Sequence, residues 1–97
     1  MVRNGDLLVA YVEAWSLEQK KRTIDVLERV DIVAFAFSPD GAKKGCPLNH
    51  LDGRKGYITI DDALARTWRV FDEDTDELLG TYDSSDEVVA GGWKVST

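Results

Sequence analysis

The 97-residue chain has little cysteine, proline or histidine: one Cys, two Pro and one His. A single thiol, Cys46, cannot close an internal disulfide, so the fold has to rest on its apolar core. An unpaired thiol suits a reducing compartment, and a cytoplasmic location is the expectation. No apolar run approaches the roughly 20 residues that a membrane-spanning helix needs. The first residues lack a basic segment followed by a long apolar stretch, so no secretory leader is expected. No Walker loop, dinucleotide fingerprint or zincin pattern occurs. Basic residues are missing altogether between positions 72 and 87.

What is present reads as one small domain, 1–97. A chain of this length buries roughly 65% of its unfolded surface, enough for a core. The net charge is −6 and unevenly spread. Residues 1–55 hold nine Lys/Arg against eight Asp/Glu, whereas residues 56–97 hold three against ten. The field of the second part repels nucleic acid and membrane phosphates and attracts basic protein surfaces.

Residues 16–30 form the strongest pattern. Ser16 and Gln19 stand at capping-box spacing, and Leu17, Ile24, Leu27 and Val30 recur at helical period, with Val26 on the flank. Glu18 with Arg22 and Asp25 with Arg29 are i,i+4 pairs of favourable orientation. Residues 7–15 are apolar on both alternate sets and read as a buried strand, with a helix as the competitor. Residues 32–37 read as a second buried strand, stopped by the turn Ser38-Pro39-Asp40-Gly41. The words Ala36 to Gly41 resemble a blade turn of WD40 propellers. A single copy with no repeat at about 40–45 residues excludes a propeller.

Residues 38–56 hold both prolines and four glycines and read as a long irregular loop. A short strand at 57–60 follows, then a short helix capped by Thr59 or Asp61. Residues 68–71 and 78–82 flank an acidic turn and read as a β-hairpin, with Asp76 the residue best suited to a positive φ there. Ser84 and Glu87 are at capping-box spacing for a last helix, with a strand at 88–95 as the alternative. The sum is an α+β fold: a β-α-β start with a central amphipathic helix packed on a small sheet, and a C-terminal acidic hairpin.

Four constellations bear on function. Asp72, Asp74 and Asp76 resemble positions 1, 3 and 5 of an EF-hand loop. Glu77 stands where that loop needs glycine, and Asp83 where it needs a bidentate Glu, so an acidic hairpin turn is the better reading and no metal site is assigned. Cys46 and His50 could pair as nucleophile and base, yet nothing arranges an oxyanion hole beside them. Lys20, Lys21 and Arg22 form a compact basic run that reads as a solvated helix face. Of three tryptophans, Trp15 and Trp68 read as core and Trp93, after Gly-Gly near the C-terminus, as an exposed partner anchor.

No catalytic residue and no cofactor emerge, and the expectation is a non-enzyme. The leading expectation is a protein-binding module acting by occupancy on a partner with a basic surface, without direct contact to nucleic acid or membrane. It would use Asp72, Glu73, Asp74, Asp76, Glu77, Asp83, Asp86, Glu87 and Trp93. One form is an inhibitor or regulator of bacterial or phage type that presents carboxylates in place of phosphates. A small-ligand or calcium-binding accessory domain and a self-assembling protomer, such as a homodimer, are the alternatives.

Overall fold

A computed structural model describes residues 14–36 and 44–96. Helix α1 spans Leu17–Arg29 and begins with the full capping box. The Gln19 N–H donates to Ser16 Oγ at 3.1 Å, and the Ser16 N–H donates to Gln19 Oε1 at 2.8 Å. Two of the first helical N–H donors are satisfied in this way. Its inward stripe is Thr23, Val26 and Leu27, while Leu17, expected on that stripe, is exposed. Asp25 and Arg29 pair at 3.1 Å. The helix stops at Val30, which takes a left-handed φ of 50°.

The run after it is not a strand. Ile32–Phe35 forms a one-turn helix, α2, because the Asp31 carboxylate accepts the N–H groups of Val33 and Ala34 at 3.0 and 3.3 Å. An N-cap one residue before the run outweighs the β-preference of Ile and Val. The turn buries Phe35 and leaves Ile32 and Val33 in solvent. The strand expected over 7–15 lies outside the described residues except for Ala14 and Trp15, which belong to no strand.

Five antiparallel strands follow: β1 Cys46–His50, β2 Lys55–Ile58, β3 Trp68–Asp72, β4 Leu78–Tyr82 and β5 Trp93–Val95, in the spatial order β4-β3-β2-β1-β5. The α+β class is therefore correct. Part of the expected 38–56 loop is sheet instead. Cys46, Leu48 and His50 alternate with Pro47 and Asn49 on β1. Pro47 pairs with Tyr57 of β2 and lies one residue outside the paired positions of β1 and β5, where its carbonyl accepts the Ser96 N–H at 2.9 Å.

Helix α3, Ile60–Ala65, is capped by the Thr59 hydroxyl, which accepts the Asp62 N–H. Helix α4, Ser85–Ala90, is capped by Ser84 through the Glu87 N–H. The helix and strand alternatives for 84–95 both occur in sequence, separated by Gly92. That residue adopts φ +101°, and a Cβ there would lie 2.6 Å from the His50 ring.

The core fills one face of the sheet. Leu48, Ile58, Trp68, Val70, Trp93 and Val95 meet Val26 and Leu27 of α1, Phe35 of α2 and Val88 of α4. No helix among the described residues is long and apolar enough to cross a membrane.

A buried hydroxyl joins the helix to the last strand. Thr23, 0% exposed, donates to Gln19 O at 2.8 Å and accepts the Val95 N–H at 3.1 Å. Thr23→Val keeps the shape and strands that N–H without a partner, a cost of about 1–3 kcal/mol. Its thermal midpoint should fall by several degrees, whereas Thr23→Ser should lose much less. Equal loss in both variants, read by circular dichroism, would assign the effect to packing.

Candidate functional site

The β3–β4 hairpin positions most of the acidic residues. Asp72 organises its turn: Oδ1 accepts the N–H groups of Asp74 and Thr75 at 2.8 and 3.0 Å, and the Asp76 N–H donates to Asp72 O at 2.9 Å. Asp76 takes φ 62°, as the hairpin geometry demands. Its carboxylate accepts from Lys44 Nζ and from the Tyr57 hydroxyl, both at 2.8 Å. The two backbone N–H groups hold the Asp72 carboxyl below its ordinary value, and Lys44 with Tyr57 does the same for Asp76.

These contacts speak against the EF-hand resemblance. Asp72 spends its oxygen on its own turn and Asp76 on Lys44 and Tyr57, so the two carboxylates do not converge with Asp74. Among the described residues no group of three or more His, Cys, Asp or Glu is placed to hold a metal ion. Cys46 and His50 do not meet either. They lie four residues apart on one strand, roughly 13 Å along it. Cys46 is buried in the core. His50 packs edge-on against Trp93 at 4.7 Å, with Nε2 2.8 Å from Gly91 O.

Trp93 is not a surface anchor. It is 1% exposed, its Nε1 donates to the Tyr82 hydroxyl at 3.1 Å, and its ring edge lies over Gly56, where a Cβ would approach it to 3.2 Å. The period-two pattern of Trp93 and Val95 around Lys94 was the signal for an inward strand. Trp15 sits at the same end of the sheet, donating through Nε1 to Gly92 O at 2.8 Å, with Lys94 Nζ 5.3 Å from its ring.

The acidic residues form two groups rather than one surface. Asp72, Glu73, Asp74, Asp76 and Glu77 lie at the turn, and Asp83, Asp86 and Glu87 lie at the start of α4. Strand β4 runs between them, and its five residues separate the groups by roughly 17 Å. Glu73, Asp74, Glu77, Asp83, Asp86 and Glu87 are exposed and form no ion pair with any described residue. Glu87 accepts the Asp83 N–H at 3.0 Å, which closes the capping end of α4.

The two edges of the sheet differ. At β5 the Val95 N–H is taken by Thr23, and Trp15 covers the turn before it. At β4 no described residue pairs with the outer side. Its ladder to β3 shifts register between Val70 and Phe71, so Phe71 faces Leu78, Val70 faces Gly80, and Leu79 stands unpaired and packs on the core. On the face away from the core a row runs Tyr57, Phe71, Leu78, with the two rings 5.7 Å apart. The row ends at Leu78, which is 51% exposed.

Elsewhere a cleft of about 380 Å³ opens between α1, α2, β1 and β5, with Val26, Val33, Ala34 and Val95 among its walls and Arg22 and Asp31 at its lining. No family model matches the chain, and neither the curated proteins nor the solved structures contain a match.

One buried carboxylate anchors the sheet from below. Asp62, 6% exposed at its side chain, pairs with Arg69 at 2.8 Å and accepts from Thr67 Oγ1 at 2.9 Å. Burial pushes its carboxyl up, but the Arg69 and Thr67 hydrogen bonds outweigh burial and hold it below the ordinary value. A depressed carboxyl contributes stability above its unfolded value, near 3.8, and loses it as pH falls through the folded value. Asp62→Asn should therefore cost about 1–2 kcal/mol at neutral pH. The gap in thermal midpoint between variant and wild type should narrow towards pH 2. A gap of constant size across that range would remove the charge from the account.

Proposed function

We propose that this protein is a binding module that acts by occupying a basic surface of a partner protein. The observation that carries this reading is the placement of six exposed carboxylates, none in an ion pair with a described residue, in two groups at the ends of an outer strand that no described residue covers. Solvated charge alone does not need an open edge between two groups of one sign. A partner with matching cations would be steered to this side of the molecule, and the steering would weaken with salt. Covering a basic surface competes with whatever anion that surface serves, so an inhibitor or regulator of a nucleic-acid-binding protein is the form that the charge favours. Trp93 has no part in it.

The same charge argues against self-assembly through β4. A two-fold antiparallel pairing would set the turn of one copy beside the α4 start of the other, acid against acid. A small-ligand role draws support from the cleft beside Val26 and Val33, whose volume falls at the lower end of ligand sites.

Affinity capture from a host lysate tests the leading reading. A basic protein should be retained at low salt and released as salt rises. Reversing Glu73, Asp74 and Glu77 to Lys should abolish capture with the circular dichroism spectrum unchanged, because none of the three side chains forms an ion pair with a described residue. Capture that survives the reversal would sink the acidic-surface reading. A thermal midpoint that rises with a small carboxylic or apolar ligand, in the absence of any captured protein, would favour the cleft.

A further inference from the structure

We infer that β4 takes an extended segment of the partner as a sixth strand, an inference that rests on the acidic-surface reading above. The segment is a stretch of protein with an apolar or β-branched residue near one end and Lys or Arg at both ends.

Three observations converge on this occupant. The first is the contrast between the sheet edges. At the β5 edge the Val95 N–H is taken from within by the Thr23 hydroxyl. The β4 edge has no such cover among the described residues. Alternate residues of an antiparallel outer strand turn their N–H and C=O groups outward, where a further strand can bond them. The second is the interrupted row. Tyr57, Phe71 and Leu78 follow one another across β2, β3 and β4 on one face, and the row stops in solvent at Leu78. An aliphatic residue opposite Leu78 on an added strand would continue it. The third is charge. Glu73, Asp74 and Glu77 lie next to the Leu78 end of β4, and Asp83, Asp86 and Glu87 lie next to the Tyr82 end. Basic residues five or six positions apart on an extended ligand match both groups.

The register shift at Leu79 limits the ladder. Only residues 80–82 face β3 in an unbroken run, so the backbone alone offers few rungs. The cations at the ends of the ligand supply both the direction and much of the attraction.

The test uses the whole chain, labelled with nitrogen-15, and a pool of nine-residue peptides. The peptides carry Lys or Arg at the first and last two positions and alternating Val, Ile and Thr between. Amide exchange at alternate residues of β4 should slow by about tenfold on addition of the pool, the change expected from two added backbone hydrogen bonds. Exchange in β5 should not change. The same pool with alternate backbone amides methylated should lose the protection. Because the methyl groups are on the peptide, the fold of the protein is untouched. Resonance shifts confined to the acidic residues, sensitive to salt and equal for both pools, would overturn strand addition and leave the acidic-surface reading in place. No effect from either pool also overturns strand addition. The acidic-surface reading is then judged separately by lysate capture and charge reversal.

Discussion

The buried hydrogen bond between the Val95 N–H and the Thr23 hydroxyl ties the two halves of this architecture together. A helix and a sheet normally meet through apolar side chains, which leave the outermost strand with unpaired backbone. Here one hydroxyl on the inner stripe of α1 reaches the last strand and satisfies that donor. The hydroxyl satisfies its own donor on Gln19 O one turn back. Neither group is left unpaired in the core, where an orphan would be costly. The packing of Val26 and Leu27 against Val95 and Trp93 then follows at fixed register.

Charged contacts around this seam fix the shorter elements. Glu28 accepts from Ser85 Oγ at 2.5 Å and pairs with Arg66, so one side chain of α1 holds the first turn of α4 and the end of α3. Ser85 and Arg66 together keep its carboxyl below the ordinary value. Asp52 holds the β1–β2 turn through Arg54 at 2.7 Å. The charges around α1 and the β1–β2 turn are thus largely paired within the fold, whereas six carboxylates beside β4 form no ion pair with any described residue. That imbalance, rather than the net charge, singles out the β4 side.

What could be read from the chain was what is decided locally. Ser16 with Gln19, Thr59 before Asp62, Ser84 before Glu87 and the positive φ at Asp76 are each settled within four residues, and each is present. At three places the reading failed. Apolar composition at 32–37 suggested a strand, but Asp31 caps a helical turn there and Phe35 buries itself in the core. Proline and glycine at 38–56 suggested a loop, but β1 gains its pairing from β2 and from β5, 47 residues further on at Leu48 and Val95. Trp93 looked exposed because it is near the end of the chain, and it is buried because Gly56, Tyr82 and His50 make room for it. The acidic residues were legible as a composition. That they fall into two groups with an edge strand between them depends on strand direction, which composition does not encode.

The order of the strands also has a kinetic side. β1 to β4 form a meander in which each strand pairs with its sequence neighbour, so their contacts close over short loops. β5 returns to the far side of β1, and its tie to Thr23 spans 72 residues. The meander can therefore assemble before β5 is made, but the Thr23 hydroxyl has no strand N–H to accept until residue 95 has emerged. Until then no described residue pairs with that side of β1, just as none pairs with the outer side of β4. A chain cut short before Trp93 would lack the strand that pairs with β1 on that side and would leave its backbone groups there to neighbouring molecules.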